Sequence, residues 1–278
     1  MPHYDTLHTH TDSGIHTILL NRPEKRNALN HELMEDLTHA LESFAASQTC
    51  RVVIISGAGS SFCAGLDIEH LNAMPHAQGH LSPTEDYNAD AQRIATLLRT
   101  LYYLPKPSIA AVNGPAIAGG MGIATLCDFT YAVPEAKFGF TEVRIGFVPA
   151  IVSAFLRTQL GEKSCRDLLL TGRLISAAEA ESLGLVNRIV VEPDLMREAR
   201  SLGQRLIRNS PAAMEATKRL LCHYSDHHLP DDVEAAIRTS VDARSNADFH
   251  EGISAFLEKR PPQWPSAHNG VKEPVATK

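Results

Sequence analysis

Positive charge is in short supply and nowhere concentrated: 26 Lys and Arg stand against 32 Asp and Glu in 278 residues, a formal charge of -6. That balance excludes the electrostatic footprint of a nucleic-acid binder and a polybasic membrane anchor. Cysteine is equally sparse. Cys50, Cys63, Cys127, Cys165 and Cys222 are an odd number, widely scattered, with no CxxC pair. Reduced thiols are expected, and neither a disulfide scaffold nor a zinc cage is encoded. The common nucleotide fingerprints are missing: Gly57-Ala-Gly59 lacks the third glycine of GxGxxG, and no GxxxxGK[ST] or GxSxG occurs. Residues 1–13 carry neither the apolar core of a secretory signal nor an Arg-rich, acid-free presequence, so a cytoplasmic location is expected.

Two features invite other readings. Residues 107–127 carry no charge and are long enough on paper to span a bilayer. Pro107, Asn113, Pro115 and four glycines interrupt them, which predicts a buried strand, a glycine turn and a buried helix instead. Fourteen histidines suggest metal. However, His3, His8, His10 and His16 lie on a polar stretch, and His223, His227 and His228 lack a carboxylate or Cys at ligand spacing. They are expected on solvated surface, with no metal site.

The front half reads as β-α-β repetition around one sheet. Residues 6–11 and 15–21 form strands about a turn ending at Gly14, and Asn30 caps a helix bearing Leu33, Leu37, Ala40, Leu41 and Phe44 at helical spacing. Residues 51–56 and 108–112 are continuous apolar runs of the kind a strand covered on both faces requires. Residues 129–133 make a weaker third. From about Ala150 the pattern turns helical, with stretches at 151–160, 164–170, 177–183, 194–208, 212–223 and 231–259, the last broken near Ser245. Residues 186–191 are read as strand, and residues 74–90 as a mobile segment. The predicted organisation is an α/β core over residues 1–200, a helical region over 201–264 and a flexible tail over 265–278.

Two glycine-bearing turns follow the buried strands, at 61–68 and 113–122. Backbone N–H groups in such turns can face a ligand, and two turns facing each other can hold an oxyanion. Equally, the glycines can serve only tight turns and close helix packing. Glu142, ahead of the apolar Phe147-Val-Pro-Ala-Ile-Val, has two readings as well: partial burial would raise its pKa toward the range useful for proton transfer, or it forms a salt bridge with Arg144.

Taken together, Leu20-Asn-Arg-Pro-Glu-Lys-Arg-Asn-Ala-Leu29, Phe62-Cys-Ala-Gly-Leu-Asp-Ile68, Lys106 through Gly120, Phe138-Gly-Phe-Thr-Glu-Val-Arg-Ile-Gly146, Gly184-Leu-Val-Asn and Phe256-Leu-Glu-Lys-Arg-Pro-Pro resemble the crotonase, or enoyl-CoA hydratase/isomerase, superfamily, in its order. The resemblance implies an α/β spiral of ββα units with a C-terminal helical trimerisation region, assembled as a homotrimer or dimer of trimers. It implies an acyl-CoA thioester whose oxygen is held by the N–H groups of Leu66 and Gly119, with Glu142 as acid/base. It assigns CoA contacts to Lys25, Arg26, Ala28, Ala64, Gly65, Asp67, Ile68 and Gly120, and to Phe256 and Lys259 reaching from a neighbouring subunit. No cofactor is implied beyond the CoA of the substrate.

The sequence departs from that pattern at one position. Two-glutamate hydratases carry a first glutamate after the Gly-Gly-x turn, and here that place holds Gly122. Three functions follow. A hydratase would use Glu142 alone, on a branched or carboxylated substrate such as 3-methylglutaconyl-CoA with Arg144 facing the carboxylate. An enoyl-CoA isomerase would shuttle one proton on Glu142. A non-catalytic trimer would bind acyl-CoA without turnover.

Overall fold

The computed structural model describes residues 3–73, 83–225 and 228–268. Ser13 and Gly14 both hold positive φ, 50° and 85°, the backbone of a two-residue hairpin whose twist suits its strands. It joins β1 (Leu7–Asp12) to β2 (Ile15–Leu20) in antiparallel register, Asp12 opposite Ile15. Asn30 caps α1 (His31–Ala46), its Oδ1 accepting from the Leu33 N–H at 3.0 Å, and the predicted apolar stripe is buried. The first apolar run becomes β3 (Val52–Gly57), buried at every position.

Then come α2 (Ile68–Ala73), α3 (Pro83–Tyr102), β4 (Ser108–Val112), β5 (Ala116–Ile117) and α4 (Gly119–Leu126). The uncharged stretch is therefore strand, turn and helix. No helix among the described residues is long and apolar enough to cross a membrane. Next are β6 (Phe129–Ala132), β7 (Lys137–Gly139), α5 (Ala150–Leu156), α6 (Glu162–Thr171), β8 (Ile175–Ser176), α7 (Ala177–Ser182) and β9 (Arg188–Ile189). Helices complete the chain: α8 (Leu195–Ile207), α9 (Pro211–Ser225), α10 (Leu229–Arg244), α11 (Ala247–Leu257) and α12 (Pro265–His268).

The main sheet runs β1-β2-β3-β4-β6-β9, parallel from β2 onward, and β5-β7-β8 make a second, smaller sheet. Strand order along the main sheet follows the chain, so the backbone advances as a spiral. Helix α8 crosses residue 200 and lays Leu195, Ala199, Leu202 and Gly203 on the main sheet. At the C-terminal end, α12 is tied back by Ser266, whose N–H and hydroxyl donate to Asp248 at 3.0 and 2.6 Å. The remaining predicted tail, 269–278, lies outside the described residues.

Two expectations are corrected. Of the segment read as mobile, residues 83–90 are the opening turns of α3, and 74–82 lie outside the described residues. His16, expected on the surface, is buried in β2 and packs edge-on to Phe44 at 4.6 Å between ring centroids. Burial lowers its pKa, favouring the neutral imidazole.

Candidate active site

Two loops are bolted together before any site exists. Asn27 is buried with φ 56°, a backbone that Asn tolerates better than most residues. Its Oδ1 accepts from the Arg22 N–H at 2.9 Å, and its Nδ2 donates to the carbonyls of Ala58 and Ser61 at 2.9 and 2.8 Å. Arg22 pairs with Asp67 at 3.0 Å and also donates to the Ala28 carbonyl. A short parallel bridge completes the link: Leu29 N–H donates to Gly65 O at 2.7 Å, and Asp67 N–H to Leu29 O at 2.9 Å. The bridge uses the groups on either side of Leu66 and leaves the Leu66 N–H out of the ladder.

That loop lies against the start of α4. A Cβ on Gly65, whose φ is 87°, would stand 2.7 Å from Ala118 Cβ and 3.6 Å from Gly119 N. Only glycine fits there. Ala118, the N-cap of α4, takes φ 52° and ψ -123°, a conformation L-residues rarely adopt and one that concentrates at functional sites. It presents Gly119 at the first turn, where a backbone N–H has no partner within its helix.

Glu142 opens a 3-10 turn, Glu142–Ile145, closed by Gly146 in left-handed conformation. Helix α11 backs this turn so closely that a Cβ on Gly252 would meet the Ile145 carbonyl at 2.2 Å. Glu142 is 8% exposed, and its Oε2 is buried without a hydrogen-bond partner. Burial pushes its pKa up to about 7, opposed in part by its own backbone N–H. The salt bridge to Arg144 is not formed: Arg144 is exposed, with its Cγ beside Gly172.

Leu66, Gly119 and Glu142 line one cavity of about 250 Å³, with Ala64 and Ile68 on its wall. Arg26 and Phe256 border it while remaining exposed, which places them at its mouth. Phe256 thus borders the cavity of its own chain rather than only a neighbour's. The other predicted residues lie outside the lining. Lys25 pairs with Glu69 at 2.7 Å. Ala28, Gly65 and Asp67 hold the loops as described, and a Cβ on Gly120 would strike the Cys63 carbonyl at 2.2 Å. Lys259 is exposed at the end of α11, with φ 56°. Arg144 is not in the lining either.

At Gly122 the missing glutamate has left no vacancy. A Cβ there would stand 2.9 Å from Val152 Cγ1, with Leu98 at 3.7 Å. Sequence reasoning missed Ser240 and Arg244, two lining residues on α10. Arg244 Nη2 donates to Asp90 Oδ2 at 2.6 Å and Nη1 to the Tyr87 carbonyl at 2.9 Å, while Asp90 Oδ1 faces His31 Nε2 at 3.1 Å. Burial alone would raise the Asp90 pKa, but His31 and Arg244 outweigh it and hold it low. His31, His70 and Asp90 bring potential ligand atoms within 4.8 Å of one another. Arg244 on Asp90, and Arg93 at 3.5 Å from His31 Nε2, oppose a further cation there.

A family model for enoyl-CoA hydratase/isomerase matches residues 10–267, and the chain belongs to that family. It is 35% identical over 256 residues to enoyl-CoA hydratase EchA19 of Mycobacterium tuberculosis, covering 90% of this chain and 93% of the relative. To the 1,2-epoxyphenylacetyl-CoA isomerase of Escherichia coli it is 31% identical, covering 92% and 97%. The crystal structure of an enoyl-CoA hydratase/isomerase from Xanthobacter autotrophicus Py2 superposes with a TM-score of 0.83 at 27% identity, covering 92% and 94%.

Proposed function

We propose that the protein is an enoyl-CoA hydratase in which Glu142 is the single proton-transfer group. The observation that carries this reading is the placement of one buried carboxyl in the same cavity as Leu66 and the first residue of α4. The thioester oxygen accepts from the Leu66 and Gly119 N–H groups. Glu142 takes a proton from water as the water oxygen bonds to C3. The C2–C3 π pair moves toward the thioester, making the enolate, and the same carboxyl returns a proton to C2. One oxygen and two hydrogens are added, and the carboxyl is regenerated. A group half-ionised near neutrality suits both half-steps. Each oxyanion donor is worth about 3 to 4 kcal/mol to such a transition state.

In this reading Arg26 and Phe256 meet the CoA at the mouth, and no cofactor is needed beyond the CoA of the substrate. The assembly is a homotrimer or dimer of trimers. Helix α9 supports this, for it buries none of its residues and leaves Leu220, Leu221 and Tyr224 open. A carboxylated chain such as 3-methylglutaconyl-CoA loses the support that Arg144 would have given and remains a substrate to test.

The test is loss of the conjugated-thioester absorbance with crotonyl-CoA and 3-methylglutaconyl-CoA. Loss with either is expected; no loss with both would contradict the proposal. A second reading, enoyl-CoA isomerase, draws support from the packing of Val152 at Gly122, because moving one proton from C2 to C4 needs one carboxyl. Conversion of 3-hexenoyl-CoA to the 2-enoyl isomer with no hydroxyacyl product would select it.

A further inference from the structure

We propose that the wall of the cavity formed by α10 is a subsite for an uncharged oxygen on the acyl chain, a hydroxyl or carbonyl, held by the Ser240 hydroxyl and the Arg244 Nε–H. This rests on the acyl-CoA reading above and names the class of acyl group it takes.

Two polar side chains of α10 belong to the buried part of the cavity wall. Phe256 at the mouth is 56% exposed, whereas Ser240 is 3% and Arg244 1% exposed. These two buried residues are four apart on α10 and therefore share one face of that helix. Neither has spent its polar capacity within the protein. Thr239, next to Ser240, donates back to the Ala235 carbonyl at 2.9 Å, as helical hydroxyls commonly do. The Ser240 hydroxyl makes no such bond among the described residues. Arg244 uses both Nη atoms on Asp90 and Tyr87, while its Nε is buried with no partner.

A buried donor without a partner, such as Arg244 Nε, is uncommon and calls for an occupant that satisfies it. A cavity built for a plain alkyl chain needs neither group, and such a chain would shut both away from water unpaired. The guanidinium is also fixed in place, with its Cζ 5.2 Å from the Phe147 ring centroid and 5.8 Å from that of Tyr87. A donor held this way is oriented before the ligand arrives.

Charge decides which oxygen fits. The positive charge of Arg244 is already matched by Asp90 at 2.6 Å, a buried partner. A carboxylate reaching this wall would add a negative charge that finds no unpaired counter-charge among the described residues beside it, and burying one is costly. A neutral acceptor takes the Nε–H and the hydroxyl without that cost.

Titration calorimetry with saturated acyl-CoA thioesters, which cannot be hydrated, tests the subsite apart from the chemistry. The full-length protein is expected to bind 5-oxohexanoyl-CoA or 5-hydroxyhexanoyl-CoA roughly tenfold more tightly than hexanoyl-CoA, the scale of one or two hydrogen bonds. Adipoyl-CoA is expected to bind no more tightly than hexanoyl-CoA. Ser240→Ala should bring the oxygenated-to-alkyl ratio to within about threefold of unity, and Arg244→Lys, which keeps the charge facing Asp90, should also lower it. Equal binding of oxygenated and alkyl chains, a ratio unmoved by Ser240→Ala, preferred binding of adipoyl-CoA, or no acyl-CoA binding would each overturn the subsite. Tight, selective binding without turnover of any enoyl-CoA would leave the subsite standing and remove the hydratase reading instead.

Discussion

Burial suits Glu142 to the proposed proton transfer and also makes it a burden on the fold. Its pKa rises from 4.5 to about 7 because the ionised form is poorly solvated. The folded state therefore binds this proton more tightly than the unfolded state. The resulting penalty is absent below about pH 4.5, grows as the pH rises and is complete above about 7, where it reaches roughly 3 kcal/mol. Glu142→Gln removes the charge and keeps the shape. Its Tm should exceed that of the wild type at pH 8 and match it near pH 4, while kcat falls by about 10² to 10⁴. Thermal unfolding at the two pH values checks the first part and turnover of crotonyl-CoA the second. A variant that is less stable at pH 8 would show that the carboxylate has a stabilising partner in solution.

Between elements, the contact of α4 with α5 limits what chemistry the cavity holds. Gly122 faces Val152, so a longer side chain at 122 must displace it. Gly122→Glu alone is expected to destabilise by about 1 to 3 kcal/mol through overpacking, measured by denaturant unfolding. Combined with Val152→Ala it should regain part of that loss and raise crotonyl-CoA hydration above the wild-type rate. No gain in the double variant would mean that a second carboxylate there cannot reach the reacting carbons.

The same scale shows what could be read from the chain in advance. Helix α1, strands β3 and β4 and the break between α10 and α11 announce themselves locally, through a cap, an apolar run or Asn246, whose side chain accepts from Asp248 N–H. The loss at Gly122 was visible in the same way; its filling by Val152 was not. The start of α3 and the polar lining on α10 were missed together, because each depends on the other. Asp90 is tolerable inside the protein because His31 and, 154 residues later in the chain, Arg244 meet it. The very short β5, β7 and β8 have too few residues for a period to show.

At the scale of the whole molecule, the spiral delivers Leu66 from the loop after β3, Gly119 from the start of α4 and Glu142 from the turn after β7 to one cavity. Helix α9 stands outside that arrangement, anchored by Lys218 to Asp128 at 2.6 Å. If its open apolar residues meet other subunits, light scattering will give three or six times 30.3 kDa, and Leu221→Glu will lower that mass. A wild-type monomer at micromolar concentration would contradict the proposed assembly.

The proposed hydratase rests on two backbone N–H groups that polarise a thioester carbonyl beside one buried acid. Isotope-edited vibrational spectroscopy of crotonyl-CoA labelled with ¹³C at the thioester carbonyl, bound to Glu142→Gln, reads that polarisation directly. Donation from Leu66 and Gly119 should shift the C=O stretch to lower frequency than in water. A stretch at the aqueous frequency, with the ligand shown to be bound, would contradict it.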